Sequence, residues 1–252
     1  MNYRHAFHAG NFADCMKHAL LVWLLRAMAR KLAPFLVLDT HAGLGRYDLS
    51  AGPAERTGEW RAGIGRLLAE PDPEPALADY LGVVRDLCLY PGSPAIARAL
   101  LRPDDRLACC ELHPEDGLIL RRLFARDPQV AVHARDGWEA LGALLPPRAQ
   151  KRGLVLIDPP YEATDEFDRL AAGLRTGIAK FATGVFAAWY PIKHRAPVRA
   201  FHDAVRTARL RDVVAAELHL REPADPARLN GCGLLVVNPP WRFEAEAPPI
   251  LD

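Results

Sequence analysis

Asp158-Pro159-Pro160-Tyr161 closes the apolar run "LVLI", and here residue types and spacing first suggest chemistry. Neither proline has an N–H, and both have a fixed φ. The Pro159 carbonyl is therefore expected to be free and rigidly aimed, with the Asp158 carboxylate as a second acceptor beside it. Two acceptors so arranged suit an exocyclic amino group, which donates two hydrogen bonds. Accepting both pulls the nitrogen toward sp³ geometry, so its lone pair leaves the ring conjugation and becomes nucleophilic. Tyr161 is expected to offer a flat face on which an extruded base stacks. A near repeat, Asn238-Pro239-Pro240-Trp241, ends a second apolar run, "LLVV". An amide also accepts a hydrogen bond, so the echo taken alone is a credible amino-group site. The choice between the two rests on where the fold puts each.

Seven short apolar runs read as strands, at 35–43, 107–114, 130–138, 153–160, 181–191, 213–220 and 233–240. Apolar residues recur at helical spacing over 13–30, with Asn11 or Asp14 as N-terminal cap, and again over 115–126, 137–145, 164–180 and 196–208. Alternation of strand and helix predicts one α/β domain with a mostly parallel sheet covered on both faces. The stretch 50–92 breaks the rhythm and reads as a small helical insertion. The last two runs are joined by "REPADPARLNGCG", too short for a crossover helix, so they should pair antiparallel. The seventh strand then runs opposite to the fourth. Ligands of open parallel sheets bind at the carboxyl ends of the strands. That assigns chemistry to Asp158–Tyr161 and a structural role to Asn238–Trp241.

Other strand ends deliver polar groups to the same edge: Asp39, His41, Gly43 and Gly45 after the first, Glu111 after the second, Asp136 with Gly137 after the third. Glycines let a backbone approach a ligand closely. An acid after the second strand is where nucleotide folds hold ribose hydroxyls, and Asp136 could accept from an adenine amino group. The set suits a nucleoside cofactor. The first turn lacks the G-x-G-x-x-G spacing, which disfavours NAD, and a tight turn that merely packs a helix on the sheet is the alternative.

The chain has 252 residues, half of them hydrophobic, and a formal net charge of +1. Nucleic-acid binding, if present, must come from a local basic patch. The segment 191–211 holds Lys193, Arg195, Arg199, Arg206, Arg209 and Arg211 with Asp203 as its only acid. Arg195 and Arg199, joined by Arg4, are expected to contact phosphates while the pocket reads the base; a solvated basic face is the alternative. Five cysteines without a C-x-x-C pair suit a reducing compartment. The apolar run Ala19–Leu25 is too short for a leader, and no stretch approaches the ~20 apolar residues of a membrane span. An intracellular, soluble protein is expected. His5, His8 and His18 match no usual zinc spacing, so no metal is expected, and their segment reads as a lid over the cofactor.

The stretches "YRHAFHAGNFADCMKHA", "FLVLDTHAGLGRY", "AERTGEW", "YPGSPAIARALL", "ELHP", "RDGW", "RGLVLIDPPYE", "FATGVFAAWYP" and "NPPW" together resemble the RlmJ family of 23S ribosomal RNA adenine-N6 methyltransferases. The resemblance spans nearly the whole chain. It implies a Rossmann-like class I methyltransferase fold, S-adenosylmethionine as methyl donor, S-adenosylhomocysteine as product, and a helical insertion after the first strand. It further implies that Lys17, His18, His41, Gly43, Ser93, Glu111, Asp136, Gly137 and Asp158 surround the cofactor. Asp158 carries the catalytic role, and Tyr3 sits at the substrate adenine. It also implies a further helix beyond the Asn-Pro-Pro-Trp element. A cytoplasmic enzyme, monomeric and without membrane attachment, is expected. Methylation of DNA adenine or of a protein glutamine, and a non-catalytic RNA-binding protein, are the competing readings.

Overall fold

A computed structural model describes residues 4–252; Tyr3 lies outside them. Among the described residues nine strands form: β1 (Phe35–Asp39), β2 (Arg46–Tyr47), β3 (Tyr90–Pro91), β4 (Arg106–Cys110), β5 (Val130–His133), β6 (Arg152–Ile157), β7 (Val185–Ile192), β8 (Val213–His219) and β9 (Gly231–Val237). The main sheet has the order β5-β4-β1-β6-β7-β9-β8. β1, β4, β5, β6 and β7 are mutually parallel, and β9 runs antiparallel to both β7 and β8. All seven expected strands are present, and the expected hairpin closes the sheet. This is a Rossmann-like arrangement, five parallel strands closed by an antiparallel hairpin.

The helices are α1 (Phe12–Ala29), α2 (Gly52–Thr57), α3 (Ile64–Ala69), α4 (Ala78–Asp86), α5 (Ser93–Leu100), α6 (Pro114–Leu123), α7 (Gly137–Ala143), α8 (Glu166–Lys180), α9 (Arg195–Thr207), α10 (Phe243–Glu246) and α11 (Pro248–Leu251). The central strands are apolar without interruption because both faces are covered. Side chains alternate between those faces along a strand. Leu154 and Leu156 of β6 join the core that contains Leu20 and Leu24 of α1. Val155 and Ile157 join the opposite core, with Leu170 and Leu174 of α8 and Phe201 of α9.

α1 is apolar nearly all round, which marks a helix enclosed by protein. The side chain of Asn11, not Asp14, caps it by accepting from the backbone N–H groups of Ala13 and Asp14. Its C-terminal carbonyls are gathered by two arginines: Arg152 donates to Met28 O (2.8 Å) and Arg102 to Ala29 O (3.3 Å). Arg102 is oriented by Asp105, which is fully buried and also accepts from the Phe35 N–H. Cations suit a helix C-terminus, and these two pin α1 to β1, β4 and β6. Among the described residues no helix is long and apolar enough to cross a membrane.

Between β1 and β4 the chain leaves through β2, forms α2, α3 and α4, and returns through β3, which pairs antiparallel with β2. α5 then leads into β4.

At the far end of the sheet, Asn238 follows β9. Val237 lies beside Phe186 near the start of β7, opposite to the end that Asp158 occupies after β6. Asn238 adopts a φ of 53°, a left-handed conformation that asparagine tolerates. Its side-chain amide donates to Ala182 O (2.9 Å) and Gly184 O (2.8 Å), which ties the start of β7 to the end of β9. Asn238→Ala leaves both carbonyls without that donor and should lower stability by about 1–3 kcal/mol, read as a lower midpoint in thermal unfolding. Turnover of the folded variant should stay within about three-fold, because no reacting group lies at that end of the sheet.

Candidate active site

The carboxyl ends of β1, β4, β5 and β6 open onto one cavity of about 200 Å³, and α1 forms its flank. β1 is where the strand order turns, with β4 on one side and β6 on the other, the place where ligands bind in such sheets.

Lys17 is the junction between α1 and the sheet. Its side chain is 5% exposed, and Nζ donates to Asp158 Oδ2 (2.6 Å) and meets Asp14 Oδ1 (2.9 Å). Asp14 precedes Lys17 by three positions and shares its helix face. Burial works against the ammonium, yet Asp14 and Asp158 outweigh it and hold Lys17 well above the ordinary lysine range. Asp14 is equally buried; His5 and Lys17 overcome that burial and keep its carboxylate well below the usual range. Asp14 Oδ2 also accepts from the Gly10 N–H (3.0 Å) and meets His5 Nε2 (2.9 Å).

Asp158, Pro159 and Pro160 line the cavity; Tyr161 does not. The expectation of a free stacking face on Tyr161 is corrected here. Its ring packs edge-to-face with Phe167 and Trp189, at centroid distances of 5.2 and 5.7 Å, and its hydroxyl donates to Trp189 O (2.9 Å). Its φ is 53°. A left-handed backbone at a bulky residue costs of order 1–3 kcal/mol and persists only where the surroundings over-determine it. Tyr161 therefore supports the turn from behind.

On the facing wall, Glu111 Oε2 accepts from the Gly43 N–H (2.8 Å) and Oε1 from the His113 N–H (2.7 Å). Burial raises the Glu111 carboxyl, opposed by those two donors. Gly43 has a φ of 62°, and a Cβ there would lie 2.6 Å from the Tyr47 hydroxyl. Gly137 begins α7 so close to β1 that a Cβ would collide with the Thr40 carbonyl. Asp136 caps α7 by accepting from the Trp138 N–H (2.7 Å). Ser93, in the first turn of α5, donates to Asp39 Oδ2 (2.7 Å), and burial pushes the Asp39 carboxyl up to about 7. His18 is buried against the Tyr90 hydroxyl (3.0 Å), and burial lowers its pKa to about 3. His41 bonds Thr40 Oγ1 and packs against Trp138; burial lowers its pKa to about 4.

The fold thus brings Lys17, His18, His41, Gly43, Ser93, Glu111, Asp136, Gly137 and Asp158 to one cavity. The expected phosphate contacts are placed differently. Arg4 pairs with Glu115 (2.5 Å) and Arg195 with Glu222 (2.5 Å), so two of the three expected cations face acids of this chain, and only Arg199 is exposed on α9 without such an ion pair among those described. Asp14, Glu166 and Arg169 were not singled out as site residues. An acid and a lysine three apart on α1 were a readable signal for the first. Glu166 and Arg169 gave none, because an acid and a base in a helix's first turn is a common surface pattern.

His18 carries a pH signature. Its unfolded form takes up a proton near 6.5, while the folded form stays neutral until about 3. Between those values the unfolded state binds more protons, so this group destabilises the protein as pH falls from 6.5 toward 3. His18→Gln removes that contribution. The stability difference between variant and wild type, measured by urea unfolding, should shift in the variant's favour by about 1–2 kcal/mol between pH 6.5 and 5. A difference independent of pH would show that His18 ionises in the folded state as it does in the unfolded one.

A family model described as Ribosomal RNA large subunit methyltransferase D, RlmJ, matches residues 32–252. Ribosomal RNA large subunit methyltransferase J of Escherichia coli (strain K12) is 42% identical over 98% of this chain and 90% of its own length. The protein of the same name from Haemophilus influenzae is 40% identical over 100% of this chain and 92% of its own. The crystal structure of protein LPL1258 from Legionella pneumophila superposes with a TM-score of 0.87 at 36% identity, covering 97% of this chain and 91% of that one. A match of this extent, over the cavity, the Lys17 junction and the Asp-Pro-Pro-Tyr turn alike, places the chain in the RlmJ family of large-subunit ribosomal RNA methyltransferases.

Proposed function

We propose that this methyltransferase modifies the N6 amino group of an adenine in 23S ribosomal RNA, with S-adenosylmethionine as methyl donor. Membership of the family carries the methylation of ribosomal RNA. The adenine and its N6 rest on one observation: an Asp158 carboxylate at the cavity wall, fixed by Lys17 Nζ at 2.6 Å and followed by the donor-free Pro159-Pro160 pair.

The lining fits this cofactor. Among the described residues, Glu111, Asp116, Asp136, Asp158, Glu162 and Glu166 face the cavity, with Lys17 and Arg169 as the strong cations. A negative lining attracts a ligand that bears a sulfonium and an ammonium. Glu111 is in place to hold ribose hydroxyls, Asp136 the adenine amino group, and Gly43 and Gly137 allow close approach of the backbone. When bound, S-adenosylmethionine supplies an electrophilic methyl on a positively charged sulfur. His18, His41 and Ser93 complete the cofactor wall.

On the substrate side, Asp158 and the Pro159 carbonyl accept the two N6 hydrogens and direct the nitrogen lone pair out of the ring plane. Lys17 occupies Asp158 Oδ2, which leaves Oδ1 for the substrate. With the cofactor bound, the Asp158 carboxylate would stabilise the positive charge on N6 as the nitrogen–carbon bond forms and the sulfur–carbon bond breaks, and the N6 proton would then pass to water. Positioning supplies much of the acceleration. Tyr3 is assigned to the substrate adenine, and residues about 50–92 are read as an insertion subdomain of a single domain. A monomer in the cytoplasm is the proposed setting, which suits five unpaired cysteines.

Transfer of labelled methyl to RNA, duplex DNA and protein, followed by nucleoside digestion, tests the reading; N6-methyladenosine from the RNA arm is the expected product. Asp158→Ala should lower kcat by about 10²-fold or more while RNA affinity holds. Near-wild-type turnover in that variant would refute the mechanism. Arg199→Glu should raise the KM for RNA and lower the log–log salt slope of binding by roughly 0.7–0.9, with cofactor affinity unmoved. An unchanged slope in the folded variant removes α9 from the RNA surface.

A further inference from the structure

We propose that Glu166 is a positioning residue for the catalytic turn: its carboxylate holds Tyr161 in the backbone conformation that aims Asp158 and Pro159 at the substrate nitrogen. This rests on the role given above to Asp158. Glu166 opens α8 and is 3% exposed. Its Oε2 accepts from the Tyr161 N–H at 3.2 Å, and its Oε1 accepts from Arg169 Nη1 at 3.1 Å. Acids are rarely so buried unless paired, and here both oxygens are engaged.

The turn needs such a restraint. Two prolines fix φ at Pro159 and Pro160, but nothing covalent fixes Tyr161, whose φ of 53° lies where L residues are seldom found. Relaxation of Tyr161 to negative φ would rotate the preceding peptide and move the Pro160–Pro159 backbone, and with it one of the two acceptors. Three contacts oppose that relaxation: Glu166 on the N–H, the Trp189 carbonyl on the hydroxyl, and the packing of Phe167 and Trp189 on the ring. Glu166 alone acts directly on the strained backbone.

Arg169 extends the clamp to the cofactor side. It lies 3.7 Å from Asp136 and 5.1 Å over the Trp138 ring, and Trp138 packs against His41. The turn after β6 and the acid after β5 are thus held from one helix end. The same arrangement gives Glu166, one of the acids of the cavity lining, a structural task beside its charge.

The test compares Glu166→Ala, Glu166→Gln and Tyr161→Phe in the full-length enzyme, with kcat, KM for S-adenosylmethionine and thermal midpoint measured for each. Glu166→Ala should lose about ten- to a hundred-fold in kcat with the cofactor KM within about three-fold. Glu166→Gln keeps an oxygen that accepts from the Tyr161 N–H and should retain kcat within about five-fold. Glu166→Ala and Tyr161→Phe restrain one torsion, so their combined loss should be less than the product of the two. The proposal is overturned if folded Glu166→Ala keeps more than half of wild-type kcat. It is also overturned if Glu166→Gln is as slow as Glu166→Ala, or if the loss falls on the cofactor KM alone. Should Glu166→Ala fail to fold, Glu166→Met, which fills the site without an oxygen to accept from the Tyr161 N–H, takes its place under the same criteria. Asp158→Ala separates the layers: an active Asp158→Ala rejects the site reading itself, whereas an inactive one beside a fully active Glu166→Ala rejects only the clamp.

Discussion

The ammonium of Lys17, sealed between the carboxylates of Asp14 and Asp158, is the interaction around which the molecule is organised. A charge removed from water costs several kcal/mol unless it is well paired. The pairing can form only if α1 lies across the sheet with its first turns at the carboxyl end of β6. Arg102 and Arg152 at the other end of α1 hold it at that angle. One buried charge thereby couples the placement of the N-terminal helix, the orientation of the Asp158 carboxylate and the closure of the cavity flank. Removing either acid would leave the buried lysine with a single partner and loosen the hold of α1 on the turn after β6.

Two nearly identical tetrapeptides receive opposite duties from the direction of their strands. Asp158-Pro-Pro-Tyr follows a strand parallel to its neighbours and emerges at the ligand edge; Asn238-Pro-Pro-Trp follows an antiparallel strand and emerges at the other. Both turns place their aromatic or amide residue at a φ of 53°, Tyr161 in the first and Asn238 in the second. The left-handed residue stands last in the first tetrapeptide and first in the second, so similar local sequences build different bends. In one case the free acceptors face a cavity, and in the other the side-chain amide stitches β7 to β9.

The segment ahead of α1 is bound to the helices between β1 and β4. Glu59 meets His8 Nδ1 and accepts from Asn11 Nδ2, Thr57 Oγ1 donates to Phe7 O (2.6 Å), and the Ile64 N–H donates to Gly10 O (2.9 Å). Asn11 is also the cap of α1. His5, within this segment, lines the cavity and reaches Asp14. The helices that interrupt the sheet therefore bear on the site without lining it, by fixing the start of the helix that carries Lys17 and His18.

Much of this was legible in the chain itself. Seven strands, the antiparallel end of the sheet and the acids at successive strand ends follow from apolar periodicity, loop length and the known preference of ligands for one sheet edge. These are local signals, set by the φ limits of proline and the two-fold repeat of a strand, so the order of residues determines them. The pairing of Lys17 with Asp158 joins residues far apart in sequence, and no periodicity encodes which buried acid meets which buried base. The use of Tyr161 as a buttress was hidden for the same reason: whether a ring faces a ligand or a neighbouring tryptophan depends on β7 and α8, which local sequence does not see. The capture of Arg4 and Arg195 by Glu115 and Glu222 likewise required the loops to be folded against each other. Sequence alone determined the element types and the sheet edge at which the cavity opens. Only the tertiary structure decided which charges neutralise one another and which aromatic is left to face the ligand, because those choices are made by contacts between segments that meet only after the sheet has formed.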